Sequence, residues 1–126
     1  MKTKIIIKDF EIHTTPLEKM SVSANSIEIF LDDIKENRIK ITAKPYQAIK
    51  ITTIDCVSSL DYKNDYCYRD GRFHRHILEI EDSSLVNELK EKTSDSSFLE
   101  KSRHFVLPLQ ENIVELVAYD IKLEEA

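Results

Sequence analysis

Glycine is nearly absent: the 126-residue chain holds one, Gly71, against an average near 7%. Loops that cradle phosphate need several glycines to bring backbone N–H groups close to the anion. A GxGxxG or Walker-type nucleotide loop is therefore excluded. Tryptophan is missing, proline occurs three times and cysteine twice. Cys56 and Cys67 make no disulfide framework and are expected to stay as free thiols in a reducing compartment. Long apolar runs are lacking as well. The opening MKTKIIIKDF has three consecutive apolar residues before Lys8, too few for a secretory signal. No stretch approaches the ~20 apolar residues of a membrane span. A cytoplasmic location without a membrane partner is expected.

What is present suits a folded domain. Hydrophobic residues make up 41% and charged residues 33% of the chain, and its length fits one self-sufficient core. No linker composition or repeat divides residues 1–126, which are expected to form a single domain. The net charge of −5 and the pI near 5.4 give no general attraction to phosphate or anionic lipid. They favour a cationic partner if they favour any.

Strand signals dominate. KIIIKDFEI (residues 4–12) reads as a strand, and Thr15, Pro16 and Glu18 then give a short-helix start. In SIEIFLDDIKENRIKITAK, a three-residue turn at Lys35, Glu36 and Asn37 puts Asn37 in the left-handed conformation that Asn tolerates. That register gathers Ile27, Ile29, Leu31, Ile39, Ile41 and Ala43 on one face and sets Asp32 opposite Lys40. YQAIKITTID (46–55) alternates as another strand. Gln110, Glu111 and Asn112 repeat the x-Glu-Asn signature between HFVLPL and IVELVAY, two segments apolar on both faces and so covered on both sides. Leu85, Val86 and Leu89 form a helical stripe starting near Ser84, capped by Asp82 or a following Ser, and Ser97 to Glu100 repeat a capping box. The fold class is α+β: a mainly antiparallel β-sheet with one or two short helices inserted before the last β-hairpin.

The densest chemistry lies in YCYRDGRFHRHILEIE (66–81). Asp70 and Gly71 make a two-residue hairpin turn, pairing Arg69 with Arg72 and Tyr68 with Phe73. One face then carries Asp65, Cys67, His74 and His76. Thiolate, imidazole and carboxylate are zinc ligands, so a metal-binding protein or enzyme centred on Cys67, His74 and His76 is one reading. A flat strand face spreads ligands, however, and no CxxC or HExxH accompanies them. The hairpin is therefore expected to be scaffold, with no cofactor. Arg69, Arg72 and Arg75 interleaved with aromatics resemble a single-strand nucleic-acid surface. The flanking Asp55, Asp61, Asp65, Glu79, Glu81 and Asp82 oppose it.

Other single candidates lack partners. Cys56 stands near Ser58 and Ser59 without a visible base. His104 opens an apolar strand and reads as a core histidine. Glu115 falls opposite Leu107 in the three-residue register and is expected at the watered end of the sheet.

PYQAIKITTIDC, YRDGRFHRHILEIEDSSLVNEL and RHFVLPLQENIVELVA, spanning residues 45–118, follow one another as strand, helix and late hairpin. In that layout the chain resembles small bacterial immunity proteins encoded beside polymorphic toxins. The resemblance implies a non-catalytic protein that neutralises a cognate toxin by stoichiometric binding. A cationic toxin domain would meet acidic patches, with Asp61, Asp65, Glu79 and Glu81 as candidate partner-binding residues. A small-ligand carrier using the interior of the sheet is the remaining alternative.

Overall fold

In a computed structural model the described residues are 3–13, 19–53, 56, 68–69, 72–73, 75–95 and 97–126. They form two antiparallel sheets packed face to face, a two-stranded hairpin and one α-helix. The first sheet has the order β1 (Thr3–Ile5), β8 (Leu78–Ile80), β9 (Arg103–Pro108), β10 (Asn112–Ala118), β5 (Tyr46–Thr53). The second runs β11 (Ile121–Glu125), β4 (Arg38–Ala43), β3 (Ile27–Asp32), β2 (Lys19–Val22). The hairpin pairs β6 (Tyr68–Arg69) with β7 (Arg72–Phe73), and its Tyr68–Phe73 and Arg69–Arg72 register is that of a two-residue turn. Helix α1 (Ser84–Glu91) and a 3-10 turn (Ser97–Lys101) lie between β8 and β9.

Alternation puts Ile27, Ile29, Leu31, Ile39, Ile41 and Ala43 between the sheets, where all six are buried. Phe105, Leu107, Val114 and Leu116 meet them from the first sheet and fill the space between the layers. The other face of β9 and β10 is buried too: Val106 and Ile113 cluster with Leu78 and Ile80. Burial on both sides explains why these two strands are apolar throughout.

Two turns differ from the sequence reading. The first hairpin pairs Asp32 with Arg38 and Leu31 with Ile39, so Asp32 faces Arg38 rather than Lys40. Its three-residue loop is 34–36, closed by the Asp33 N–H bond to the Asn37 carbonyl at 3.0 Å. The cause is Asp33, whose Oδ1 accepts the N–H groups of Lys35 and Asn37, both at 2.9 Å. The left-handed residue is consequently Glu36, at φ 66°, and not Asn37. A shift of one residue at both ends preserves face parity, so the core assignment survives. A side chain with a Cβ is strained by about 1–2 kcal/mol in that region. Glu36→Gly is therefore expected to raise the urea midpoint slightly, a net gain below about 1 kcal/mol once glycine's unfolded-state entropy is counted.

The second hairpin turns at Gln110 and Glu111 alone. Leu109 N–H bonds the Asn112 carbonyl at 2.8 Å, and Leu107 pairs with Val114, Phe105 with Leu116. This odd shift from the expected 110–112 turn moves Glu115 to the opposite face, directly across from Val106.

At the amino end the expected strand 4–12 is broken. β1 stops at Ile5, Phe10 N–H bonds the Ile7 carbonyl, and Ile12 makes an isolated bridge to Asp33. The reversal at 7–10 lets Ile5 pack on the Leu78 side while Phe10 and Ile12 enter the space between the sheets. The helix start read at Thr15, Pro16 and Glu18 lies outside the described residues.

The sheets share one ribbon. β4 pairs β11 and β5 pairs β10, so the chain passing through Pro45 and the chain passing through Asp120 run side by side from one layer into the other. The Tyr119 N–H to Pro45 carbonyl bond, at 3.4 Å, links them at the corner.

Candidate functional site

Only some of the residues singled out from sequence fall within the described residues. Asp61, Asp65, Cys67 and His74 lie outside the described residues, as do Asp70 and Gly71. His76 is 2% exposed. Its Nδ1–H donates to the Phe10 carbonyl at 3.0 Å, and Nε2 stands 3.8 Å from Glu11. That ring ties the 75–77 segment to the amino-terminal stretch. Among the described residues no group of three or more His, Cys, Asp or Glu side chains is arranged to hold a metal ion. Cys56 is a free, exposed thiol 3.4 Å from the Thr53 hydroxyl.

Glu79 is not a surface acid. It sits across from Phe105, 12% exposed, and its Oε1 accepts from Arg103 Nη2 at 2.7 Å and Nε at 3.1 Å. Arg103 stacks over the Phe105 ring and also reaches Asp120 at 3.2 Å. Hydrogen bonding to Glu79 raises the Arg103 pKa. Glu81, by contrast, is exposed, and among the described residues the exposed Lys4 stands 3.7 Å from it.

The chemistry that does converge was missed from sequence. Ser83 follows β8 in an extended conformation and caps helix α1, its Oγ accepting the Val86 N–H at 3.0 Å. That Oγ is also 2.7 Å from His104 Nδ1. His104 Nε2 in turn lies 2.9 Å from Glu115 Oε1. Ser83 and His104 are 7% and 4% exposed, and the Glu115 side chain 15%. Strand registers bring them together: His104 pairs with Ile80 on one side and Val117 on the other, so Glu115 is its diagonal neighbour on the same face.

Proton positions follow from the carboxylate. The hydrogen bond from His104 lowers the Glu115 pKa, overcoming partial burial, with charge attraction from His104 and Lys50 adding to it. An ionised Glu115 only accepts, so Nε2 carries a hydrogen. In the neutral imidazole Nδ1 then accepts, and the Ser83 hydroxyl donates to it. With the imidazole neutral the chain is Ser83 O–H to His104 Nδ1, then His104 Nε2–H to Glu115; with it protonated, Nδ1–H donates to Ser83 Oγ instead.

This chain opens on a depression of about 200 Å³ whose lining includes Glu81, Asp82, Ser83, Val86, Lys90 and His104. The rim residues Glu81 and Asp82 are exposed. The sequence signal for Ser83 was its capping position, and for His104 a polar residue beginning a two-sided apolar strand. Neither signal announced the pairing, which depends on the two-residue turn at 110–111.

No helix of the described residues is long and apolar enough to cross a membrane. No protein-family model matches the chain, and no curated protein matches it. A solved structure similar to it is that of an uncharacterized protein from Neisseria gonorrhoeae, 15% identical, with a TM-score of 0.48 over 100% of both chains.

Proposed function

We propose that the protein acts by binding another protein stoichiometrically, in the manner of an immunity protein that blocks a cationic toxin domain. The observation that supports this reading is the exposed Glu81–Asp82 rim of the depression, on a chain of net charge −5. Acidic rims speed encounter with basic partners and set orientation more than they add affinity.

The test is capture of a partner from the native host, followed by association kinetics against ionic strength. Association should slow several-fold as added salt brings the screening length down to about 8 Å and below. Glu81→Lys should lower the on-rate a few-fold while leaving the melting temperature unchanged. Glu79→Lys should instead destabilise the fold, because it opposes Arg103 with a like charge beside Phe105. Equal on-rates for the wild type and Glu81→Lys at low salt would remove Glu81 from the interface. Recovery of no protein partner would overturn the reading.

A further inference from the structure

We infer that Ser83 is an activated nucleophile, able to take an acyl group from a small ester at the floor of the depression. This goes beyond the binding reading and does not rest on it. Three observations carry it. The Ser83 hydroxyl, the His104 imidazole and the Glu115 carboxylate are linked at 2.7 and 2.9 Å, and when the imidazole is neutral with Nε2–H on Glu115, its Nδ1 is the acceptor for the hydroxyl proton. Ser83 and His104, 7% and 4% exposed, both line the depression. And Ser83 stands at the start of an eight-residue helix whose Val86 N–H is bound to Oγ and whose Asn87 N–H is bound to the Ser83 carbonyl. Helix geometry leaves the N–H groups of Ser84 and Leu85, the two residues that follow, without intrahelical acceptors. Those donors suit the negative charge that develops on a carbonyl oxygen under attack.

The step balances within these groups and the ester. Ser83 Oγ bonds to the ester carbonyl carbon as its proton passes to His104 Nδ1. The Glu115 carboxylate, bound to Nε2–H, offsets the charge on the resulting imidazolium. The tetrahedral oxyanion accepts from the Ser84 and Leu85 N–H groups. Its collapse breaks the carbon–alkoxy bond, and the leaving alkoxide takes the proton from Nδ1, giving acyl-Ser83 and an alcohol. Water attacking by the reverse proton route releases the acid. The volume of about 200 Å³ and the opposed charges of Lys90, Glu81 and Asp82 at the walls fit a short, uncharged acyl group. In this scheme Ser83 and His104 are catalytic residues, and Glu115 is a positioning residue.

The full chain, treated with a fluorophosphonate probe and separately with 4-nitrophenyl acetate, tests this. Intact-mass analysis should show one adduct per chain, peptide mapping should place it on Ser83, and the acetate ester should give a burst of one equivalent of nitrophenolate. With the far-UV spectrum preserved, His104→Ala should label about 100-fold more slowly. Glu115→Gln should label at least about tenfold more slowly, and Glu115→Asp should recover part of that loss, which a purely structural carboxylate would not do. If His104→Ala fails to fold, the wild-type adduct map and the two Glu115 variants decide. No adduct on Ser83 of the folded wild type, an adduct only on other residues, or labelling indifferent to both Glu115 changes would overturn the inference.

Discussion

Truncation of Phe105 to alanine is expected to lower the unfolding free energy by about 3–5 kcal/mol, a large part of the 5–15 kcal/mol typical of a domain. Phe105 is fully buried, sits in the middle of the inter-sheet layer, and supports the Arg103 guanidinium from below. Its loss removes aromatic surface from both the core and that ion pair. A double-mutant cycle distinguishes the two possible registers of the last hairpin. Phe105 and Leu116 stand directly opposite on one face, so their alanine variants should show a coupling of about 0.5–3 kcal/mol. Val106 and Leu116 are on opposite faces, and their effects should come closer to adding. Urea denaturation of the four variants and the wild type measures both quantities. Stronger coupling for the Val106–Leu116 pair would contradict the register.

Loss of the Glu115 carboxylate is expected to have the second large effect. In Glu115→Ala the Nε2–H of His104, on a side chain 5% exposed, loses its acceptor, at a cost of about 1–3 kcal/mol. The wild type should also lose stability in acid through this residue. Its carboxyl titrates below the ordinary 4.5 in the folded state because His104 bonds to it. The unfolded chain therefore takes up the proton first as pH falls. The contribution is whole above pH 4.5, declines below it, and is gone once pH passes the folded value. Urea midpoints measured downward from pH 6 should fall less steeply below pH 4.5 in Glu115→Gln than in the wild type. Parallel profiles would mean that Glu115 is not held by His104.

Much of the first hairpin was legible from residues alone, because its error was even. Moving the loop from 35–37 to 34–36 changed Asp32's neighbour but left Ile29 and Ile41 on the core face. The second hairpin carries a similar Glu-Asn signature without an aspartate to pin the loop, and there the error was odd. Leu109 closes directly on Asn112, so Glu115 joins His104 instead of Leu107. With both faces of β9 and β10 apolar, alternation holds no information about which parity is right. Hence the Ser83–His104–Glu115 chain was hidden by the same two-sided burial that makes those strands easy to recognise. β2 and β11 were missed for a different reason. Their four and five residues are polar at alternate positions and half-exposed at sheet edges, where side-chain pattern is weak and backbone pairing decides. The acidic candidates divide in the same way: charge was readable in Glu79 and Glu81, but only the position of Arg103 shows that one of them faces inward.

The ribbon common to both sheets bears on how the chain reaches this state. It joins Ile39 to Glu125 and Thr53 to Asn112, contacts between the first half of the chain and its last strands. During synthesis the β3–β4 hairpin has all its residues early, yet β4 and β5 wait for partners that emerge from the ribosome much later. Neither layer is complete until residues 112–125 are available, and when they pair they close both layers together. Contacts so distant in sequence make folding slow relative to a helical domain of this size. They also leave β5, an edge strand of the finished sheet with Ile51 exposed, without its β10 partner for as long as the carboxy-terminal residues are missing.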